Sequence, residues 1–185
     1  DVEQRCSMAF QRDGDIAFLL GTPPSGHAAD LAGSEYRALA GEELSGRPRI
    51  DLALETRLQR STLAGIGNGM IRSAHDCSDG GLAVALAECC ISGGRGLDVP
   101  ITPPVGRADA FLFGEAQSRI VVSVASSNAS ALVRWNNKKV LSFSQSLVLS
   151  DVLPSTYINL DDFLSADDDI PEACVTLDRE LEDFD

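Results

Sequence analysis

The stretch SAHDCSDGGLAVALAECC, Ser73–Cys90, leads from a short apolar segment into a helix through a loop with two adjacent glycines. Because glycine has no side chain, Gly80 and Gly81 allow backbone N–H groups to approach a ligand closely. The first N–H groups of a helix lack internal partners and carry a partial positive charge. The pattern predicts an anion site, most naturally for a phosphate, to which Ser78 adds a hydroxyl donor. The structural alternative is a buried helix cap and a tight turn without a ligand.

Acidic residues in the same loop complicate the phosphate interpretation, since a carboxylate repels a phosphate. Asp76 and Asp79 can instead cap the helix, bind a sugar hydroxyl or hold a cation. His75 can act as a general base, because histidine titrates near neutral pH. We favour a buried histidine that is hydrogen-bonded to the backbone.

The helix predicted over residues 81–92 is apolar almost all round, with Glu88 as its one charged residue. Such a helix is expected to be buried on several sides, with its N-terminus opening from the interior of the domain. Gly93 and Gly94 are expected to end it. Cys89 and Cys90 are predicted to be buried, inert thiols, whereas Cys77 in the loop is the more reactive candidate.

Helical and strand patterns alternate on both sides of this stretch. Apolar runs predict strands at 16–20, 71–75, 96–99 and 119–125, and the last is apolar on both faces and therefore central. Helices are predicted at 35–40 with Ser34 as cap, from the cap Asp51 onward, at 108–113 and at 128–139. Residues 140–152 and 157–160 are expected to add further strands. This order predicts a mixed α/β domain with helices packed on a sheet.

A second group of polar residues precedes the predicted central strand. Arg119 can pair with a phosphate, because its planar fork suits one. It can equally bridge Glu115 or Asp79 as a structural clamp. Residues 33–35 resemble a second anion-facing helix start, for which we favour a plain cap.

The net charge of −13 is distributed unevenly along the 185 residues. Residues 1–150 hold 16 acidic and 14 basic residues, whereas residues 151–185 hold 12 acidic residues and one arginine. No basic patch occurs, which argues against nucleic-acid binding. The tail is predicted to be solvated or disordered.

Five cysteines without a C-x-x-C pair, together with two histidines, make a zinc site an unfavoured interpretation. Reduced thiols in a cytosolic protein are expected instead. The sequence contains no apolar stretch long enough for a membrane span and no secretory signal at its start. The absence of an initial methionine is compatible with a processed or excised piece.

Four segments in the same order resemble the phosphoribosylformylglycinamidine synthases of the large-subunit type, also called formylglycinamide ribonucleotide amidotransferases, and most closely the cyanobacterial ones. We call them the signature segments: GSEY at 33–36, PRIDLALETRLQ at 48–59, SAHDCSDGGLAVALAECC at 73–90 and FGEAQSRIVVSV at 113–124. After Ser126 the resemblance fades, because residues 140–160 lack the glycines of the family's closing strands.

The resemblance implies a three-layer, mixed-sheet α/β domain of the aminoimidazole ribonucleotide synthetase C-terminal type over residues 1–150. Residues 151–185 have no clear counterpart in the family, and we expect an acidic, divergent or partly disordered tail there. In the family, ATP phosphorylates the amide oxygen of formylglycinamide ribonucleotide, and ammonia from a glutaminase displaces that phosphate to give the amidine. ATP and magnesium are bound mainly by domains that this chain does not match, so no catalytic residue is expected here.

Carried over residue by residue, the resemblance implies contacts to the substrate phosphate or ribose. The residues carried over are Ser78, Asp79, Gly80 and Gly81. Arg119 joins the predicted site through its own chemistry, with His75, Asp76 and Glu115 in secondary positions. Three functions remain open. In the first, the chain is the substrate-side domain of the ligase and works with an upstream ATP-binding domain and a glutaminase. In the second, it is a non-catalytic module that binds a ribonucleotide or a protein. In the third, it belongs to another enzyme of the superfamily, and the segment 113–124 argues against this.

Overall fold

The computed structural model describes residues 3–43, 46–97, 106–139 and 146–154, with 134–139 and 146–154 described by their backbone. Its strands are β1 (Asp15–Gly21), β2 (Ile71–Asp76), β3 (Arg95–Leu97), β4 (Arg119–Ala125) and β5 (Ser146–Pro154). Its α-helices are α1 (Glu35–Leu39), α2 (Leu52–Gly67), α3 (Gly81–Gly93), α4 (Ala108–Phe113) and α5 (Ser126–Lys139). A short 3-10 helix, Ala28–Leu31, lies between β1 and α1.

The five strands form one sheet in the order β2-β4-β1-β5-β3. Neighbouring strands pair antiparallel, and a parallel bridge joins Ser7 to Ser73 at β2. β4 lies between β1 and β2, which confirms the prediction that it is central. Its Ser123 is buried, and the Ser123 hydroxyl lies 2.6 Å from the Ser73 hydroxyl across the sheet.

Alternate side chains of the central strands pack into two separate hydrophobic clusters, because successive residues of a strand point to opposite faces. Leu19 and Val121 pack with residues of α3 and α4 on one face. Phe18 and Val122 pack with residues of α2 and α5 on the other. The sheet therefore forms the middle of three layers, and the predicted three-layer α/β class is confirmed.

α2 begins at the predicted cap. The Asp51 carboxylate accepts the backbone N–H groups of Ala53 and Leu54 at 2.9 and 3.0 Å. Leu54, Leu58 and Thr62 of the predicted stripe are buried against the sheet. The helix continues through Gly65 and ends at Gly67, where low helix propensity favours termination.

α3 is buried around most of its circumference, against the sheet and α4, and is exposed along the strip that holds Glu88 and Ile91. The prediction of burial on several sides therefore holds except for that strip. Leu82, Leu86 and Cys89 pack into the core, whereas Ile91 on the strip is 78% exposed. The physical reason is the position of α3 in an outer layer, where the sheet and α4 leave the strip uncovered. Apolar composition alone does not distinguish this arrangement from a helix covered all round.

β5 runs through Pro154 and so crosses the predicted boundary between residues 150 and 151. Residues 155–185, with most of the predicted acidic tail and the predicted strand 157–160, lie outside the described residues. The division into a domain and a tail stays a prediction. Within the described part of the chain, no helix is both long and apolar enough to cross a membrane.

Candidate functional site

A cavity of about 390 Å³ lies between α2, the loop that follows β2 and the segment that precedes β4. Its wall is rich in hydrogen-bond acceptors. Four carboxylates line it, with an apolar floor that includes Leu58 and Ile120. The acidic residues are Glu55, Asp76, Asp79 and Glu115.

The loop Ser78–Gly81 uses its two best-placed N–H groups internally. Gly80 donates its N–H to Glu115 Oε1 at 2.8 Å, and Gly81 donates to the Ser78 carbonyl at 3.0 Å. Ser78 and Asp79 are exposed and line the cavity. The N–H groups of Gly80 and Gly81 are therefore engaged within the protein, and phosphate binding at this loop stays a prediction that rests on the N–H groups further into α3.

The two glycines are needed for backbone geometry and packing. Gly80 and Gly81 have φ angles of +79° and +66°, in the left-handed region that favours glycine. A Cβ on Gly81 would lie 2.6 Å from the Gly114 carbonyl oxygen, and one on Gly80 would lie 2.3 Å from Val84 Cγ2. The close approach is therefore that of the backbone at the end of α4, where a ligand was expected.

Glu115 receives N–H groups from two different helix starts. Its Oε1 accepts the Gly80 N–H that precedes α3 and the Glu35 N–H that begins α1, both at 2.8 Å. A carboxylate is favourable there, because the first N–H groups of a helix are unpaired and partly positive. Ser34 also accepts the Arg37 N–H as predicted, so the start at residues 33–35 is a cap.

Arg119 is a buried clamp. Its side chain is 0% exposed and donates to the carbonyls of Thr22 and Gly114 and to Asp30 Oδ2, at 3.0–3.1 Å. The acid that it pairs with is Asp30, and neither Glu115 nor Asp79 takes that place. These contacts favour the clamp over the predicted phosphate ligand, because the guanidinium is enclosed and already engaged on three sides.

His75 bonds to a side chain and not to the backbone, which corrects the expected partner. Its Nε2 lies 2.8 Å from Glu88 Oε2 on α3, and its Nδ1 lies 3.6 Å from Asp76 Oδ1. His75 is not among the residues that line the cavity. The bond ties the end of β2 to the side of α3.

Of the three roles predicted for Asp76 and Asp79, the helix cap is absent from the structure. α3 has Gly80 at its cap position and no side-chain cap. Among the described residues, no group of three or more His, Cys, Asp and Glu side chains is arranged to hold a metal ion. Binding of a sugar hydroxyl and binding of a cation both stay predictions for Asp76 and Asp79.

Burial makes the cysteines near the loop unreactive. It raises the pKa of Cys77 to about 12, that of Cys89 to about 12 and that of Cys90 to about 11. The thiolate is the nucleophilic form, so these thiols are protonated at neutral pH. Inert thiols are confirmed for Cys89 and Cys90, and the idea of a more reactive Cys77 is wrong.

All four signature segments meet at Phe113–Arg119, which we call the junction segment. The Phe113 ring stacks on Tyr36 with 5.0 Å between ring centroids. Glu115 reaches Gly80, and Ser118 Oγ donates to Glu55 Oε2 at 2.5 Å. Sequence reasoning missed Asp30, Glu55 and Ser118 as members of this site. Glu55 lies inside a signature segment, about one turn before the buried Leu58, and this position could have indicated that it belongs to the site. Nothing in the sequence around Asp30 indicates its role.

A family model described as AIR synthase related protein, C-terminal domain, matches residues 12–144. The chain belongs to this family. The predicted resemblance is confirmed, and the match extends past Ser126, where the motifs had faded.

This AIR synthase related domain is similar to cyanobacterial sequences. It is 48% identical over 132 residues to phosphoribosylformylglycinamidine synthase subunit PurL of Synechococcus sp. strain JA-2-3B'a(2-13). It is 49% identical over 125 residues to the same subunit of Synechococcus sp. strain JA-3-3Ab. These matches cover 71% and 67% of this chain but only 17% and 16% of the relatives.

A solved structure, Thermotoga maritima PurL complexed with FGAR, has the same fold with a TM-score of 0.62 and 20% identity. The match covers 85% of this chain and 28% of that one.

Proposed function

We propose that this chain is the substrate-side domain of a ligase that converts formylglycinamide ribonucleotide and ammonia to formylglycinamidine ribonucleotide. The observation that carries the proposal is the 48% identity to a synthase subunit, combined with the position of three signature segments along one cavity. The fourth, at 33–36, contacts Phe113 and Glu115. A non-catalytic module is not favoured, because the curated relatives are named as synthase subunits.

The wall of the cavity suits the hydrogen-bond donors of this substrate. Carboxylates accept hydrogen bonds from ribose hydroxyls and from the amide N–H groups of the formylglycinamide arm. The one cation among the described lining residues is Arg119, whose side chain is enclosed. We propose that Ser78 and Asp79 bind the ribose or the amide arm, and that the phosphate lies toward another part of the enzyme.

The domain contributes binding and orientation to the reaction. Exposed carboxylates at Asp76 and Asp79 hold the neutral part of the substrate. ATP with magnesium, bound by an upstream domain, supplies the phosphoryl group that activates the amide oxygen, and a glutaminase supplies ammonia. The buried, unpaired cysteines of the described chain support a reducing, cytosolic setting.

Calorimetric titration of the purified chain tests this proposal with three probes: the ribonucleotide, the corresponding riboside without phosphate, and sulfate. The two sugar compounds are expected to bind with Kd values within about tenfold of each other, roughly 1.4 kcal/mol. Sulfate is expected not to compete. Tight sulfate binding with loss of riboside binding would restore the phosphate interpretation. Absence of binding for both sugar compounds would contradict the proposed function.

A further inference from the structure

One oxygen atom connects the loop to a helix on another part of the chain. Glu115 Oε1 accepts two N–H groups, from Gly80 and Glu35, each at 2.8 Å. These donors are 35 and 80 residues away from Glu115 in sequence. Neither N–H group belongs to a regular ladder, so both segments depend on this acceptor for their position relative to each other.

Glu115 is itself held from several directions. Its own N–H donates to the Asp30 carbonyl at 2.9 Å, and the carbonyl of the preceding Gly114 accepts from Arg119 at 3.0 Å. A Cβ on Gly114 would lie 2.3 Å from the Ala110 carbonyl oxygen, so the backbone there is tightly enclosed. Glu115 therefore presents its carboxylate from a fixed backbone.

We propose that Glu115 is a positioning residue that couples the Ser78–Gly81 loop to the start of α1 and thereby sets the shape of the substrate cavity. The identity of the ligand in this inference rests on the proposed function. The coupling of the two segments rests on the hydrogen-bond geometry alone. Glu115 acts through the acceptor capacity of Oε1. The negative charge adds to the attraction for the partly positive helix starts, but the two bonds themselves need only one acceptor oxygen.

Replacement of Glu115 by glutamine and by alanine separates these properties. Glutamine keeps a carbonyl oxygen with two acceptor sites at the same reach, so E115Q is expected to retain both bonds. E115A removes the acceptor. E42A is the matched control, since Glu42 lies beyond the other end of α1 and its carboxylate pairs with Arg37.

Amide hydrogen exchange measured by NMR on the 185-residue chain reports the coupling directly. In E115A, the amides of Gly80 and Glu35 are expected to exchange at least tenfold faster, while those of β4 keep their protection. E115Q and E42A are expected to match the wild type at both amides. The Kd for formylglycinamide ribonucleotide is expected to rise about tenfold in E115A and to recover in E115Q.

Several results would overturn the coupling. Acceleration of only one amide in a folded E115A protein would show that the two segments are held independently. E115Q behaving like E115A would show that charge is the required property. If the wild-type chain binds no ribonucleotide, the proposed function fails, and the amide exchange still decides the coupling.

Discussion

Helices α2 and α3 both start beside the cavity, and their starts are held in different ways. The cap of α2 is local: the Asp51 carboxylate accepts the N–H groups of Ala53 and Leu54, the second and third residues of the helix. α3 has no side-chain cap, and the N–H of its N-cap residue Gly80 bonds instead to Glu115, which is 35 residues away.

The difference shows that the position of the α3 start beside the cavity is set by residues that are distant in sequence. A local cap fixes its own helix and leaves the surroundings independent. The bond from Gly80 to Glu115 makes the start of α3 depend on the junction segment, which also contacts α1 and α2. The loop beside the cavity is therefore placed by the tertiary structure, and variants of the junction should affect it far more than variants of Asp51.

The largest effect is expected for Arg119→Met, which removes the enclosed clamp beneath the junction. It leaves Asp30 without its ion pair and two carbonyls without a donor. Loss of one partner of a buried pair costs about 3–5 kcal/mol. Urea unfolding followed by circular dichroism measures the free energy of unfolding. Arg107→Met is the control, because Arg107 pairs with Asp109 on the surface and exposed pairs contribute little. Equal effects of the two substitutions would contradict the clamp.

The next effect is expected for Gly81→Ala, compared with Gly69→Ala. The φ angles are similar, +66° and +73°, but a Cβ on Gly69 meets no atom within 4 Å. Both substitutions cost about 1–2 kcal/mol for the left-handed backbone. Gly81→Ala should cost a further 1–3 kcal/mol or so, because the Cβ collides with the backbone at the end of α4. Equal losses in urea unfolding would show that α4 yields to the methyl group. The comparison also shows why a bulky residue at Gly81 is a poor probe of ligand binding.

A smaller, pH-dependent effect is expected for Asp51→Ala. Hydrogen bonds from the backbone N–H groups of Leu54 and Ala53 lower the pKa of Asp51 in the folded protein. The cap therefore stabilises the fold fully above the unfolded-state pKa of about 4, and this contribution is lost as the pH falls through the lowered folded pKa. Thermal unfolding of wild type and variant should differ at pH 7 and converge near pH 2. A constant difference across this range would rule out the carboxylate as the source.

The smallest effect on stability is expected for Asp79→Asn, which changes the exposed cavity wall. The free energy of unfolding should stay within about 0.5 kcal/mol of wild type, as is usual for surface positions. The Kd for formylglycinamide ribonucleotide should rise about tenfold, roughly 1.4 kcal/mol. Asp13→Asn serves as a surface control away from the cavity. A variant that binds like wild type would remove Asp79 from the site.

Local patterns predicted the elements well, and the contacts between them poorly. The run at 16–20, the cap Asp51 and the apolar strand 119–125 each carry their signal within a few residues. The partner of Arg119 is Asp30, 89 residues away, and that of Gly80 is Glu115. Two glycines in a loop look the same in sequence whether a ligand or the backbone of α4 approaches them. The location of the loop was therefore predictable from the sequence, and the acceptor of the Gly80 N–H group was not.

The most direct test of the central claim is an NMR titration of the isotopically labelled chain with formylglycinamide ribonucleotide, which detects weak binding residue by residue. The account predicts saturable shifts at the amides of Asp76, Ser78 and Asp79 and at Gln117 and Ser118 across the cavity. Sulfate at the same concentration should leave these amides unmoved. A folded chain that shows no saturable shift, or shifts confined to residues away from the cavity, would contradict the assignment of this domain as the substrate-binding side of the ligase.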